Sequence, residues 1–231
     1  MDGRLNVWAK RLGLVLLGLV VAVHVLLVMF RFLPTPHTIN MLSRKLDGAH
    51  IARVLVNVDA VSPHVVRAVI AAEDTRFCQH GGIDVEAIEK AMDEAEASGR
   101  RRGASTITQQ TAKNVFLWNG GGYARKAAEA WFALLSDRIW GKRRTMEMYL
   151  NVAEWGDGIF GIEAAARLRF NKSAKDLTER EAALLAAVLP SPNKWRVDPP
   201  GPYVSQRTGT IQARMRVVER DGLAKCVLGT R

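Results

Sequence analysis

The sequence predicts a mainly α-helical domain carried on one N-terminal transmembrane helix. Three features carry that expectation. Residues 12–30, LGLVLLGLVVAVHVLLVMF, contain no charged side chain. Beyond residue 60, apolar residues recur at helical spacing behind capping residues and before glycines or prolines. Alternating strand patterns are scarce, and ARVLVNV at 52–58 is the best of them.

The apolar run comes first in the chain. As a helix rising about 1.5 Å per residue it spans roughly 29 Å, close to the hydrocarbon thickness of a bilayer. Lys10 and Arg11 precede it, which keeps residues 1–11 cytoplasmic by the positive-inside rule and makes 12–33 the anchor. A cleaved signal peptide is the rival. The run is long for one, and RFLPTPH has no small-x-small cleavage site. His24 sits mid-span and receives no role. A Pro-bearing linker is expected over 34–49, a domain over 50–220 and a C-terminal tail over 221–231.

Ser62 and Pro63 form an N-cap and first-turn pair, and Val65, Val66, Val69 and Ala72 mark a buried face running to Glu73. Asp84 can cap VEAIEKAMDEAEA, and Ser105 or Thr106 can cap ITQQTAKNVFL. ARKAAEAWFALLSDRIW carries an apolar stripe at Ala128, Trp131, Phe132, Leu135 and Ile139, with Gly141 as its stop. RRTMEMYLNVAE reads as another helix, and TEREAALLAAVL opens with a capping box from Thr178 to Glu181.

Composition bounds the function. Hydrophobic residues make up 48% of 231, enough for a packed core without a disulfide framework. The two cysteines, Cys78 and Cys226, lack metal-ligand spacing, so a single bridge and two free thiols both stay open. A net charge of +10 favours an anionic partner: nucleic acid, an anionic membrane surface or a phosphorylated substrate.

The polar residues gather in four stretches. In SPHVVRAVIAAEDTRFCQHGG, Glu73 falls at a helix C-terminus among apolar neighbours. The dipole and burial both favour its protonated form, which suits a proton acceptor near neutral pH. A solvated acidic pair, Glu73 and Asp74, is the plainer reading. In GRRRGASTITQQTAKN, Thr106, Gln109 and Lys113 share one helical face, and Gln110 and Asn114 form a second polar row. Such a helix start can hold a phosphate or present a solvated face. In RKAAEA, Arg125 and Glu129 make either an i,i+4 ion pair or a second acid with Arg125 and Lys126 as charge clamps. Glu147, Tyr149 and Asn151 read as structural. Two carboxylates with several cations suggest chemistry on a phosphorylated sugar, or a glycoside hydrolase.

These motifs, in this order, resemble those of the monofunctional biosynthetic peptidoglycan glycosyltransferases, whose domain also occurs in class A penicillin-binding proteins. EDTRFCQHGG resembles the family's first motif, GASTITQQTAKN the second, RKAAEA the third and KRRTMEMYLN the fourth. The last has Thr145 and Met146 where Ile and Leu are usual, and Gly121 stands near the place of a frequent arginine. The likeness covers roughly residues 50–220. It implies a lysozyme-like, mainly α glycosyltransferase domain with a small membrane-proximal jaw. The implied reaction joins lipid II units into glycan strands with inversion, expelling undecaprenyl pyrophosphate.

Carried over by motif position, Glu73 is the general base and Glu129 assists at the donor side. Lys113, Arg125 and Lys126 contact phosphate, and Ser105, Thr106, Gln109, Gln110 and Asn114 line the donor cleft. Asp74, Phe77 and His80 shape the first-motif pocket. No cofactor is required by the motifs. The one metal the resemblance allows is a divalent ion, magnesium or manganese, bound through the pyrophosphate to Glu129. The implied partners are lipid II, the nascent glycan strand, the membrane and other cell-wall synthesis proteins, with no nucleic acid. The implied location is the bacterial inner membrane, single-pass, with an extracytoplasmic catalytic domain. The alternatives are a lysozyme-like wall-degrading enzyme, which has no need of Lys113, Arg125 and Lys126, and a membrane-tethered basic protein, in which aromatics for base stacking are sparse.

Overall fold

A computed structural model describes residues 2–99 and 103–229. Arg100, Arg101 and Arg102 of the basic loop lie outside the described residues. The chain divides into two units, Met1–Pro34 and Thr35–Arg231.

The first unit is one helix, α1 (Asp2–Phe32). Its stretch Lys10–Phe32 is long and apolar enough to cross a membrane. The ring of His24 places Nδ1 2.8 Å from the Val20 carbonyl, so its polar atom is satisfied within the helix.

The second unit is mainly helical, as expected. Its elements are α2 (Ile39–Leu46), β1 (Ala52–Arg53), α3 (Pro63–Glu73), α4 (Val85–Ser98), α5 (Ile107–Phe116), α6 (Gly122–Val152), β2 (Glu154–Gly156), β3 (Ile159–Phe160), α7 (Ile162–Phe170), α8 (Glu179–Val188), α9 (Pro202–Arg220) and α10 (Lys225–Leu228). The small sheet has order β1-β3-β2, with β1 parallel and β2 antiparallel to β3. Of ARVLVNV only Ala52–Arg53 pairs as strand. Further on, Asn151 takes the place of a partner strand: its amide oxygen accepts from Val56 N at 2.9 Å and its amide nitrogen donates to Val56 O at 2.8 Å. Glu147 accepts from Val58 N at 3.0 Å.

The core forms where α3, α8 and α9 pack on one another. Val65, Val66, Val69 and Ile70 of α3 meet Leu185 and Val188 of α8 and Ile211 and Met215 of α9 in one buried cluster. Ala72, the last residue of the expected α3 face, is only half-buried. Ser62 stands at the N-cap of α3 but does not cap it. Its hydroxyl donates to the Leu177 carbonyl at 2.8 Å instead, because that acceptor lies across the core. Asp84 caps α4 as expected, accepting from Ala87 N at 3.0 Å, and Thr178 with Glu181 forms the capping box of α8.

Two expectations change in α6. Gly141 breaks α6 with φ 70 and ψ 170, so the expected stop is a kink within one run of helix. The buried face of α6 before that kink is Glu129, Ala133, Ser136 and Trp140. None of the expected stripe residues Ala128, Trp131, Phe132, Leu135 and Ile139 is fully buried, and Trp131 is 41% exposed. The side packed on α5 mixes small and polar residues with Phe132 and Trp140, which stack on Phe116 at 4.7 and 5.7 Å between ring centroids, while Trp131 and Leu134 are exposed.

The segments on either side of 50–220 carry the short helices α2 and α10. Thr38 caps α2, accepting from Met41 N at 3.2 Å, and Met41 is buried. At the other end Ala224 and Val227 join the core, and Cys226 is bonded to Cys78, which resolves the open cysteine pair as a disulfide.

Candidate active site

The site is built where the end of α3 meets the start of α5. Glu73 is the last residue of α3, and Asp74 leaves helical geometry at φ −162 and ψ 79. That turn sends the two carboxylates to different tasks.

Asp74 turns inward, its side chain 3% exposed. It accepts from Ile107 N at 3.0 Å, supplying an acceptor to a free amide in the first turn of α5. His80 Nε2 lies 3.0 and 3.1 Å from its two oxygens. Asp74 thus pins the first motif to the second. Its cluster with His80 and Asp84 has ligand atoms within 4.8 Å of one another. Those atoms are engaged internally, since Asp84 also caps α4 and pairs with Arg76 at 3.2 Å.

Gly82 completes this joint. It takes φ +96, and a Cβ there would stand 2.8 Å from the Ala133 carbonyl, so only glycine lets the motif lie against α6. Its own carbonyl accepts from the Thr106 hydroxyl at 2.6 Å. Thr106 also accepts from Gln109 N at 3.0 Å, and Gln109 Oε1 accepts from Thr106 N at 3.0 Å, a reciprocal capping box.

Glu73 stays at the cleft, its side chain 12% exposed. Oε2 accepts from Gln110 Nε2 at 2.9 Å, while Oε1 faces Arg207 Nη2 at 3.7 Å. Burial pushes its pKa upward, the Gln110 hydrogen bond and Arg207 oppose that push, and neighbouring Asp74 adds to it. Tyr149 closes the floor, fully buried, its hydroxyl 3.4 Å from Gln110 Oε1 and its pKa raised well above the ordinary value by burial and by the charge of Glu73.

A chain of polar contacts runs from Glu73 to the second acid. Gln110 Nε2 reaches both Glu73 and, at 3.5 Å, the Ser105 carbonyl. The Ser105 hydroxyl accepts from Lys126 Nζ at 2.7 Å, and Lys126 pairs with Glu129 Oε1. Arg125 holds the other oxygen of Glu129 at 2.5 Å. Glu129 is 2% exposed. Burial lowers the pKa of Lys113, Glu129 opposes that shift, and Arg125 and Lys126 add to it. Three cations therefore surround one buried carboxylate. Gly121, at φ 85, leaves space that a Cβ would close to 2.9 Å from Arg125 Cβ, and Arg125 Nε donates to the Gly120 carbonyl there.

The structure thus brings together Glu73, Ser105, Gln110, Lys113, Arg125, Lys126 and Glu129. It sets others behind them. Phe77 is fully buried in the core under Lys142, whose Nζ is 4.7 Å from its ring centroid. Gln109 and Thr106 are 3% and 2% exposed and serve the cap of α5, and Asn114 is buried on the same helix. Arg207 escaped sequence reasoning altogether, because nothing in PYVSQRTGTIQARMRVVER points toward Glu73.

Known proteins resemble this chain along most of its length. A family model described as Transglycosylase matches residues 40–218. A biosynthetic peptidoglycan transglycosylase of Rhodospirillum centenum is 53% identical over 220 residues, 95% of each chain. A protein of the same description from Caulobacter vibrioides is 49% identical, over 91% of this chain and 92% of its own. One from Pseudomonas aeruginosa is 46% identical, over 89% and 91%. With motifs, helical frame and sequence in accord across most of its length, the chain belongs to the transglycosylase family.

Proposed function

We propose that this protein is a peptidoglycan glycosyltransferase that polymerises lipid II into linear glycan strands, with Glu73 as general base. The observation that supports it best is the unequal setting of two buried acids. Glu73 sits at the cleft with protonation favoured by burial. Glu129 is ion-paired to Arg125 and Lys126. One carboxylate is set to take a proton, and the other holds cations in place.

In this reading the 4-hydroxyl of an incoming lipid II attacks the anomeric carbon of the growing strand. Its proton passes to Glu73 as the new C–O bond forms and the bond to the pyrophosphate breaks. Lys113, Arg125 and Lys126 take up the charge that develops on the departing diphosphate. Attack from the side opposite the leaving group inverts the anomeric centre. The cluster fits a polyanion directly. Both oxygens of Glu129 are engaged, so a divalent ion would have to displace Arg125 or Lys126 to reach it.

The membrane enters at two points. Lys10–Phe32 is the candidate span, with the N-terminus cytoplasmic and the domain outside. Trp118, Tyr123 and Trp131 are exposed on and before α6, and Leu42 and Leu46 on α2, which packs on α5. We read this apolar face as the membrane-proximal jaw, meeting a substrate that never leaves the bilayer.

The test is lipid II polymerisation by full-length protein in detergent. Glu73→Gln should retain folding and lipid II binding while turnover falls by about 10²–10⁴-fold. Turnover near wild type removes Glu73 from the mechanism. Cleavage of polymerised glycan without polymer formation replaces the proposal with a wall-degrading activity.

A further inference from the structure

Arg207 lies outside the four motifs and on a different helix from every group in the cation cluster. Among the described residues its one ion pair is with Glu73, Nη2 to Oε1 at 3.7 Å. Its Nε is buried with no hydrogen-bond partner. Beside it opens a cavity of about 280 Å³, lined by Ala72, Tyr203, Gln206, Thr210 and Arg214. The side chain therefore reaches Glu73 with open space beside it.

We infer that Arg207 is a positioning residue that holds Glu73 in its ionised, proton-accepting state. The inference rests on Glu73 being the general base. At 3.7 Å the contact is longer than a hydrogen bond, so it acts through charge without occupying a lone pair. Oε2 is already bonded to Gln110. Oε1 is then the atom that faces a cation yet keeps its lone pairs for a substrate hydroxyl. A close bidentate pair would hold the carboxylate ionised too firmly for it to act as a base.

The other groups around Glu73 do not supply this charge. Asp74 beside it is acidic, Gln110 from α5 is neutral, and Tyr149 from α6 has its ionisation pushed further out of range by burial and by Glu73. α8 meets α3 along an apolar run from Ala182 to Val188. On the rim shared with Glu73, Arg76 pairs with Asp84 and Glu86, and Lys90 with Glu86. Arg207 from α9 is the cation that offsets burial.

The sign follows. Glu73 must be ionised to accept a proton, so the rate rises with pH through its pKa. Removing Arg207 takes away a lowering influence, and the acidic limb of the profile moves to higher pH. The experiment is kcat/KM for lipid II against pH, on full-length wild type, Arg207→Gln, Arg207→Lys and Glu73→Gln, with a thermal melt of each. Arg207→Gln should lose about tenfold on the acidic side and recover toward wild type at the alkaline plateau. Arg207→Lys should restore most of the loss. An unmoved acidic limb, or a loss equal at every pH with a lowered melting point, makes the pair a structural tie and overturns the inference while Glu73 stays essential. An active Glu73→Gln sinks the general-base reading instead.

Discussion

Replacing Asp74 with alanine should loosen the joint between α3 and α5 before it touches chemistry. The carboxylate is 3% exposed and serves two partners, Ile107 N and His80 Nε2, each at 3.0 Å. Charge-assisted hydrogen bonds contribute about 1.5–3 kcal/mol each, so two give an upper end of roughly 6 kcal/mol. Relief from burying the carboxylate offsets part of that, and a net loss of about 3 kcal/mol is expected. At about 2–4 °C per kcal/mol for a domain of this size, the melting point should fall by roughly 6–12 °C. Asp74→Asn keeps one acceptor for Ile107 N and should lose about half as much. The assay is thermal unfolding of the detergent-solubilised protein followed by circular dichroism. A drop of less than about 1 kcal/mol for Asp74→Ala would refute the account of Asp74 as the pin between the motifs.

The remaining predictions concern the same corner of the molecule. Burial lowers the pKa of Lys113, so its charge, and with it diphosphate capture, should be lost as pH rises through a value below the ordinary lysine range. The alkaline limb of the polymerisation profile should move outward in Lys113→Arg, and Lys113→Ala should raise KM for the donor below that point, with the difference narrowing above it. Gly82→Ala forces a Cβ to 2.8 Å from the Ala133 carbonyl at φ +96 and should cost about 1–3 kcal/mol in a thermal melt. Thr106→Val keeps the shape but loses the cap of α5 and the bond to the Gly82 carbonyl, so about 1–2 kcal/mol should disappear on the same assay.

Much of this was legible in the sequence where local chemistry decides. Asp84, Thr178 and Glu181 cap the helices they announce, and Gly141 marks the break in α6. Glu73 ends α3 because Asp74 finds better partners outside the helix than within it. Periodicity misread α6 because its packed side carries Glu129, Ala133 and Ser136 while Trp131 and Leu134 face outward. A hydrophobic stripe marks the core only when the outer face is polar. The polar residues of α5 misled in the opposite sense. Thr106 and Gln109, which with Lys113 look like a solvated or phosphate-facing row, are buried and satisfied by each other in the first turn. Arg207 was invisible because its partner lies across the core, on a helix far away in sequence.

The bond between Cys78 and Cys226 sets an order of events for a chain made from its N-terminus. Cys78 lies between Phe77 and His80, inside the segment that positions Asp74, and its partner follows 148 residues later. The first motif therefore gains this tie only after a residue 148 positions later has been made and an oxidant has acted. Under reducing conditions that covalent tie opens, and the first motif is left to the contacts of Asp74 and Thr106.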